Sequence, residues 1–489
     1  MEITNVLSKI KRDIIFDDHS YKVNFNKDCS DVTSMYQDIQ DSSIFILKSS
    51  KHSKKYAIEA VKKNPVLIIT NMPLNSLDDI KGNVYVVYID NYESVAIKLV
   101  HLFYDKYIEQ LKFIAVTGTN GKTTTSHMIC KLLSKMDVKV ATIGTLGVYD
   151  DDYNKIEFLH STPTTPMHFE FAEIIKHFAE RDYDYIVYEA TSIALDQRRV
   201  DFIENEIAVF TNFSSEHLEY HHTIENYLES KLKLDQLSKR SMVNYDTKEY
   251  LKICNDKYHF SNNNDTYYKY ELKNNKLYIS IGKEVYKLDV LFNGTHNYIN
   301  LATSIFTLHK LNFNIIDILK AVETMKPPAH RFETFEINDY QFILDFAHTP
   351  LAIKESIEDA LRYASNIDKQ LTVMITGVGL RGYDKIESTM KLIPKYIDQV
   401  VLASEQVGYE NENLIIDIMI KNLPKTYDLN NLIIGKSRKE TIEKIINKVN
   451  KKENIILLTG INEPQHYRGK LIGHDDKTYI TKCINHERG

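Results

Sequence analysis

The chain has 489 residues and a formal charge of −6, with 43 % hydrophobic and 26 % charged residues, a length that suggests roughly three domains, each able to bury a core. This ordinary balance gives no electrostatic basis for a nucleic acid or an anionic membrane as partner. No stretch approaches the ~18 apolar residues of a membrane span, and the start, "MEITNVLSKIKRDIIFDD", lacks the apolar centre of a signal peptide.

Along the chain, residues 1–108 hold short apolar runs ("SSIFIL", "PVLIIT", "NVYVVYI") alternating with the helical patterns "SKKYAIEAVKK" and "YESVAIKLVHLFYDKY", which predicts a small α/β unit. Residues 109–328 open on "FIAVTGTNGKTTTSHMICKLL", a strand, a glycine turn and a helix. They continue with strands such as "YDYIVYEA" and "IAVFTNF" and the helical "IENYLESKLKLDQL". An insertion around "SNNNDTYYKYELKNNKLYISIGKEVYKLDVLF" reads as a meander of antiparallel strands, and Pro327-Pro328 as a hinge. In residues 329–489, "YQFILDFA", "LTVMITG", "QVVLAS", "LNNLIIG" and "NIILLTG" are buried-strand runs separated by helices, as in a parallel sheet of Rossmann type. The fold class expected is α/β, three consecutive domains with a P-loop domain at the centre. Cys29, Cys130, Cys254 and Cys483 lie far apart and form no C-x-x-C pair, so free buried thiols in a reducing cytoplasm are expected in preference to disulfides or zinc. Small molecules are the partners expected, and a monomer the expected state.

The turn carries the first chemistry. Backbone N–H groups of a glycine turn at a helix start hold phosphate oxygens, helped by the helix dipole. Lys122 would reach the terminal phosphates and the Thr123 hydroxyl would bind Mg²⁺. The general P-loop pattern has a further glycine where this chain has Val116. The longer string from Thr117 to Thr125, T-G-T-N-G-K-T-T-T, resembles the ATP-binding turn of the Mur ligase family, which makes amide bonds in peptidoglycan precursors. The resemblance continues in order: "STPTTP" (161–166), "YEATS" (188–192), "FTNFSSEHLEYHHTIENYLESK" (210–231), "GTHNYIN" (294–300), "HRFE" (330–333) and "LDFAHTP" (344–350), the last two in the form of the MurE type.

The resemblance implies roles residue by residue. Gly118, Thr119, Asn120, Gly121, Lys122, Thr123 and Thr124 would hold ATP phosphates; Asn297 and Asn300 would meet the adenine; Arg331, Asp345 and His348 would reach the nucleotide from the third domain. Thr123, Glu189, His217 and Lys231 would hold Mg²⁺, with Lys122, Glu189, His217 and Lys231 as the catalytic set. Lys231 would act as a carbamate, which requires a neutral amine in a partly buried place. Thr164, Thr165, Thr191, Ser192 and Arg199 would face the acceptor substrate, Arg198 being a rival for the arginine role. Each has a plainer reading: Glu189 as a solvated strand end, Lys231 as a surface lysine, Asp345 and His348 as caps of the following helix. A nucleotide held by two domains implies closure before chemistry.

In this family ATP phosphorylates a carboxylate and an amine then attacks the acyl phosphate. Diaminopimelate-adding members carry D-N-P-R where this chain has "SEQVG", Ser404 to Gly408, without an arginine. Diaminopimelate is therefore disfavoured, and Glu405 with Glu463 would meet a side-chain ammonium, unless both are ordinary loop carboxylates. Other departures lie on the substrate side. Met35-Tyr36-Gln37 stands for D-S-R, Ile193 for the histidine after E-V-S-S, and Arg381 is shifted in register. Three readings remain: a ligase extending muramyl peptides with a basic amino acid, a relative joining another small carboxylate to an amine, and a nucleotide-binding partner subunit without turnover.

Overall fold

The computed structural model describes residues 1–17, 28–80, 84–158, 164–253, 257–262, 266–273, 276–290, 292–326, 328–462 and 464–486. The first segment runs α1 Ile3–Ile10, β1 Ile14–Asp17, β2 Asp31–Thr33, β3 Ser43–Leu47, α2 Ser53–Lys62, β4 Leu67–Thr70, β5 Val86–Ile89 and α3 Tyr92–Ile108. Its sheet has the order β1-β5-β4-β3-β2, parallel except for β1. The three apolar runs named above form β3, β4 and β5, buried at every position because helices cover both faces.

The next segment runs β6 Lys112–Thr117, α4 Lys122–Ser134, β7 Val140–Gly144, β8 Gly147–Tyr149, β9 Lys155–Ile156, α5 His168–Ala179, β10 Tyr185–Glu189, α6 Ser192–Asp196, β11 Ile207–Phe210, α7 Leu218–His221, α8 Ile224–Gln236 and β12 Ser241–Asn244. The strands line up as β12-β11-β6-β10-β7-β8-β9. The first strand in sequence, β6, sits between β11 and β10 and runs parallel to both. The chain leaves β6 to build one side and returns to build the other, so a crevice opens at the carboxyl ends of these strands, where ligands of such sheets bind. α3 packs on α5: Leu99 and Val100 share a core with Phe171 and Ile175, and Tyr104 donates its hydroxyl to Glu173. The first sheet and the central sheet therefore share one apolar core.

β13 Lys257–Ser261 pairs with β12, and the start of β14 Tyr268–Lys273 pairs with β13; both ladders are parallel. The expected antiparallel meander thus opens with parallel pairings, because the helical turn Lys248–Lys252 carries the chain back before β13 begins. β15 Lys276–Ile281, β16 Glu284–Leu288, α9 Thr295–Lys310 and α10 Ile315–Glu323 follow. The expected hinge falls partly on Pro327, outside the described residues.

The last segment runs β17 Arg331–Ile337, β18 Tyr340–Asp345, α11 Pro350–Asn366, β19 Gln370–Val378, α12 Tyr383–Leu392, β20 Gln399–Glu405, α13 Glu412–Asn422, β21 Ile433–Gly435, α14 Arg438–Lys448, β22 Asn454–Thr459, β23 Gln465–Tyr467, β24 Lys470–Ile472 and α15 Asp476–His486. Its sheet is ordered β17-β18-β22-β19-β20-β21, parallel apart from β17, while β23 and β24 form a separate hairpin. Ile353, Ile357 and Ile415 pack on one face, Ile442, Ile445 and Ile480 on the other. The α/β class expected from the buried-strand runs is the class observed. The chain forms two compact units: one of residues Met1–Lys269, Ser280–Glu284 and Thr303–Ala321, the other of Tyr270–Ile279, Val285–Ala302 and Val322–Gly489. Among the described residues no helix is long and apolar enough to cross a membrane. Cys29 and Cys130 are buried, Cys483 is partly buried, none of the three is in a disulfide, and Cys254 lies outside the described residues.

Phe171 is fully buried, edge-on to Tyr188 and Phe202 at centroid distances of 5.2 and 6.1 Å. Phe171→Ala is expected to lower stability by roughly 3–5 kcal/mol, read as a reduced urea midpoint of the first unit. An unchanged midpoint would show that the α3–α5 core does not carry it.

Candidate active site

The turn between β6 and α4 is built by close backbone approach. Gly118 has φ +149°, and a Cβ there would lie 1.9 Å from Thr211 Oγ1. Gly121, with φ 83°, is the left-handed residue from which α4 starts. The segment after β11 grips the turn. Thr119 N–H donates to Asn212 O at 2.9 Å, Asn120 N–H to Asn212 Oδ1 at 2.9 Å, and Thr211 Oγ1 to Asn120 O at 2.7 Å. Thr119 Oγ1 accepts from Ser214 N–H at 3.0 Å and shares a hydrogen bond with Tyr227 OH at 3.1 Å. Thr124 is buried on the first turn of α4.

Glu189 ends β10, fully buried. Its Oε2 accepts from the hydroxyls of Thr123 at 3.0 Å and Thr145 at 3.2 Å, and its Oε1 accepts from Thr145 N–H at 2.7 Å. The Thr145 hydroxyl also meets that of Thr164 at 3.2 Å. At Gly144 a Cβ would be 2.1 Å from Glu189 Oε1, so only glycine admits the carboxylate. Thr165 Oγ1 donates to Glu189 O at 2.7 Å and meets Thr191 Oγ1 at 3.1 Å, while Thr191 caps α6. Arg199 Nη1 donates to Thr165 O at 2.9 Å, whereas Arg198 is bound to Asp201 at 2.7 Å. Of the two arginines, Arg199 is the one placed with these threonines. Residues 161–163 of "STPTTP" lie outside the described residues.

Lys231 is not a surface lysine. It is 1 % exposed on α8, with Nζ donating to Gly118 O at 2.8 Å and lying 4.7 Å from the centroid of the Tyr227 ring. Lys122 Nζ donates to the same Gly118 carbonyl at 2.9 Å and to Thr119 O at 2.9 Å. Burial, and then the neighbouring Lys122 charge, hold the Lys231 amine well below the usual lysine range. Ser192 Oγ meets His221 Nε2 at 3.0 Å. His217 begins α7 in the left-handed region at φ 54°, partly exposed, with Nδ1 3.5 Å from Glu219.

In the second unit, Asn297 is fully buried on the first turn of α9 and donates Nδ2 to Asn293 O at 2.9 Å and Arg331 O at 2.8 Å. Its Oδ1 is buried with no hydrogen-bond partner among the described residues. Asn300 is buried one turn on. The Arg331 guanidinium lies 4.5 Å from the Phe346 ring centroid. Asp345 Oδ1 accepts from Ala347 N–H at 3.1 Å, and Oδ2 from Ser356 Oγ at 2.8 Å. The cap of α11 is Thr349, followed by Pro350, so neither Asp345 nor His348 takes that role. His348 Nδ1 lies 2.8 Å from Phe346 O.

Glu405 requires a correction. It ends β20 and is 1 % exposed; its Oε2 accepts from Arg438 Nη1 at 2.7 Å, and its Oε1 from Thr376 Oγ1 at 2.8 Å and Ile461 N–H at 2.9 Å. Arg438 also forks onto Asp476 at 2.8 and 2.5 Å. A carboxylate buried to this degree, with both oxygens hydrogen-bonded and a guanidinium on one of them, is a structural partner of Arg438 and is not presented as an open site for a substrate ammonium. Glu463 lies outside the described residues.

The residues that brace the site, Thr145, Thr211, Asn212 and Tyr227, were not singled out by sequence. "FTNF" was visible as a motif, but nothing in it says that Asn212 grips a turn 92 residues away. Arg438 left no signal, because an arginine opening a helix is ordinarily solvated.

Two family models match the chain, Mur ligase middle domain over residues 116–308 and Mur ligase, glutamate ligase domain over residues 330–462. The UDP-N-acetylmuramoyl-L-alanyl-D-glutamate–2,6-diaminopimelate ligase of Rickettsia rickettsii is 29 % identical over 471 residues, 91 % of this chain and 94 % of that protein. A solved ligase of the same name superposes with a TM-score of 0.64 at 21 % identity, covering 100 % of this chain and 99 % of its own. The MurF ligase from Thermotoga maritima in complex with ADP gives 0.62 at 15 % identity, covering 95 % and 99 %.

Arg438→Ala would leave Glu405 and Asp476 as buried carboxylates without their cation, at a cost of about 3–5 kcal/mol. Burial pushes the Asp476 carboxyl up, but the Arg438 charge and its hydrogen bonds bring it well below the usual carboxylate range. A depressed carboxyl contributes stability that is present above ~pH 3.9 and is lost as the pH falls through the folded value. Acid titration of stability should therefore be steeper in the unaltered chain than in Arg438→Ala; equal slopes would remove the pair from the stability account.

Proposed function

The chain belongs to the Mur ligase family, and from that premise we propose that it uses ATP to activate the carboxylate of a UDP-N-acetylmuramoyl peptide and joins it to an amino acid. The supporting observation is the convergence on one turn. Lys122 and Lys231 share the Gly118 carbonyl, and Thr123, the second residue of the following helix, contacts Glu189. The residues fit Mg²⁺-ATP. In the first unit Gly118 leaves room for no side chain and Glu189 has neutral donors alone among the described residues; in the second, taken by itself, the Asn297 Oδ1 has no partner among the described residues.

Thr123 and Glu189 would hold the cation, and no group of three or more His, Cys, Asp or Glu side chains competes for it among the described residues. Such a site suits Mg²⁺, which keeps waters and phosphate oxygens in its own shell. Magnesium would supply charge neutralisation where an anionic carboxylate meets an anionic phosphate. Lys122 adds a cation to the phosphoryl group. Lys231, whose charged form burial and the nearby Lys122 disfavour, is suited to take up CO₂ and become an anionic ligand; His217 would complete the metal set. Thr164, Thr165, Thr191, Ser192 and Arg199 would face the acceptor, Arg199 by its guanidinium. We assign residues 1–108 to the acceptor's nucleotide-sugar end, 109–328 to ATP, and 329–489 to the amino acid.

For the amino acid, two observations pull apart. The stretch Ser404 to Gly408 lacks an arginine, which argues against diaminopimelate; Glu405 is bound to Arg438, which removes half of the case for a basic side chain. The Rickettsia relative, named for diaminopimelate, adds weight to that second side. ADP release with UDP-N-acetylmuramoyl-L-alanyl-D-glutamate and a panel of lysine, ornithine and diaminopimelate decides between them. Hydroxylamine should intercept the activated carboxylate as a hydroxamate. No hydroxamate with any peptide acceptor would sink the muramyl reading, and ATP binding without any turnover would favour a non-catalytic partner subunit.

Lys122→Ala should cost on the order of 10²–10³ in rate, the loss expected for one electrostatic contact to the transferring group. Lys231→Ala should be nearly inactive and partly restored by formate or acetate, which supply a carboxylate. Full activity of Lys231→Ala, or activity in CO₂-free buffer equal to that with bicarbonate, would remove the carbamate.

A further inference from the structure

At the start of α9, next to the asparagines assigned to the base, an ionic cluster joins two of the motifs to Asp359, which lies in neither. Asp359, from α11, accepts from both the N–H and the hydroxyl of Thr295 at 2.6 and 2.7 Å, capping α9 from another helix. Between them sits His296. Its Nδ1 lies 3.4 Å from Asp359 Oδ2 and its Nε2 3.8 Å from Asp345 Oδ2, the carboxylate at the end of β18. Gly294, at φ +84°, turns the chain into this corner, where a Cβ would meet the His296 ring at 2.9 Å and Phe332 at 3.0 Å. One bridging ring thus ties the first turn of α9 to both β18 and α11, with Asn297 the next residue along.

We propose that His296 is a positioning residue for the nucleotide, its ring bridging Asp345 and Asp359 and so holding Asn297 and Asp345 in their binding arrangement. This rests on the assignment of ATP to Asn297 and Asp345. Two carboxylates brought together in a buried corner repel unless a cation lies between them. The groups facing the ring are Asp345 from β18, Asp359 and Glu355 from α11, and the apolar Phe332 from β17; Arg362 of α11 contacts Asp359 as well. Burial lowers the His296 ring, and the hydrogen bond to Asp359 with the surrounding carboxylates more than reverses it, leaving it above the usual histidine value. The bridge is therefore complete below ~pH 6.5 and is lost as the pH rises through the raised value.

The test compares KM for ATP and kcat across pH 6 to 9 in the unaltered chain, His296→Gln, Asp359→Asn and Asn297→Ala. His296→Gln should raise KM for ATP about tenfold at low pH, equivalent to 1.4 kcal/mol, with kcat nearly unchanged. The ratio of its KM to that of the unaltered chain should fall toward one as the pH rises. Asp359→Asn, which keeps the shape and halves the clamp, should shift that pH dependence to lower pH. A pH-independent ratio, or a loss confined to kcat, would overturn the positioning role. Asn297→Ala separates the two claims: if it raises KM while His296→Gln does not, the bridge fails and the nucleotide assignment stands. If Asn297→Ala leaves KM unchanged, the nucleotide assignment itself fails.

Discussion

The structure of the first unit depends on the approach of the β6–α4 turn to the strand beside it. Gly118 lies so close to Thr211 that any side chain would collide, and in exchange the segment Thr211–Ser214 satisfies the turn's backbone. Everything of chemical interest is indexed to that contact. The Gly118 carbonyl receives two lysines, α4 starts at Gly121, and Thr123 on its first turn reaches Glu189 on the other side of β6. A turn fixed in this way by hydrogen bonds on its far side is held in one conformation, which is what the proposed phosphate site requires.

Burial decides what the charged groups of the site can do. Lys231 has a single backbone acceptor and a second lysine nearby, so the protein destabilises its charged form. Had the same residue a carboxylate partner, its charged form would be favoured instead.

The two buried glutamates show the same principle from the other sign. Glu189 and Glu405 each end a parallel strand in the middle of a sheet, and each is almost wholly hidden. Around Glu189 every donor is neutral: two threonine hydroxyls and one peptide N–H. Around Glu405 stands a guanidinium shared with Asp476. The first carboxylate is hydrogen-bonded without a cationic partner among the described residues, the condition that the proposed metal site needs. The second is already paired with a guanidinium, and it serves the architecture of the sheet's carboxyl edge.

The class of each segment could be read from residue order alone. Short unbroken apolar runs such as "NIILLT" and "YIVYE", rich in β-branched and aromatic residues and bounded by turn residues, read as strands buried on both faces, and a glycine turn between an apolar run and a helical pattern is a local event. The β6–α4 turn itself was legible for the same reason, since its residues are neighbours in the chain. Tertiary structure alone decided which charges met. Whether Lys231 is solvated or buried depends on Gly118, 113 residues away, and whether Glu405 is free depends on Arg438, 33 residues on. His296 lies within the motif "GTHNYIN", but its meaning comes from Asp359 across the fold. Desolvation and pairing are properties of a neighbourhood, and the neighbourhood exists only once the strands have been laid side by side.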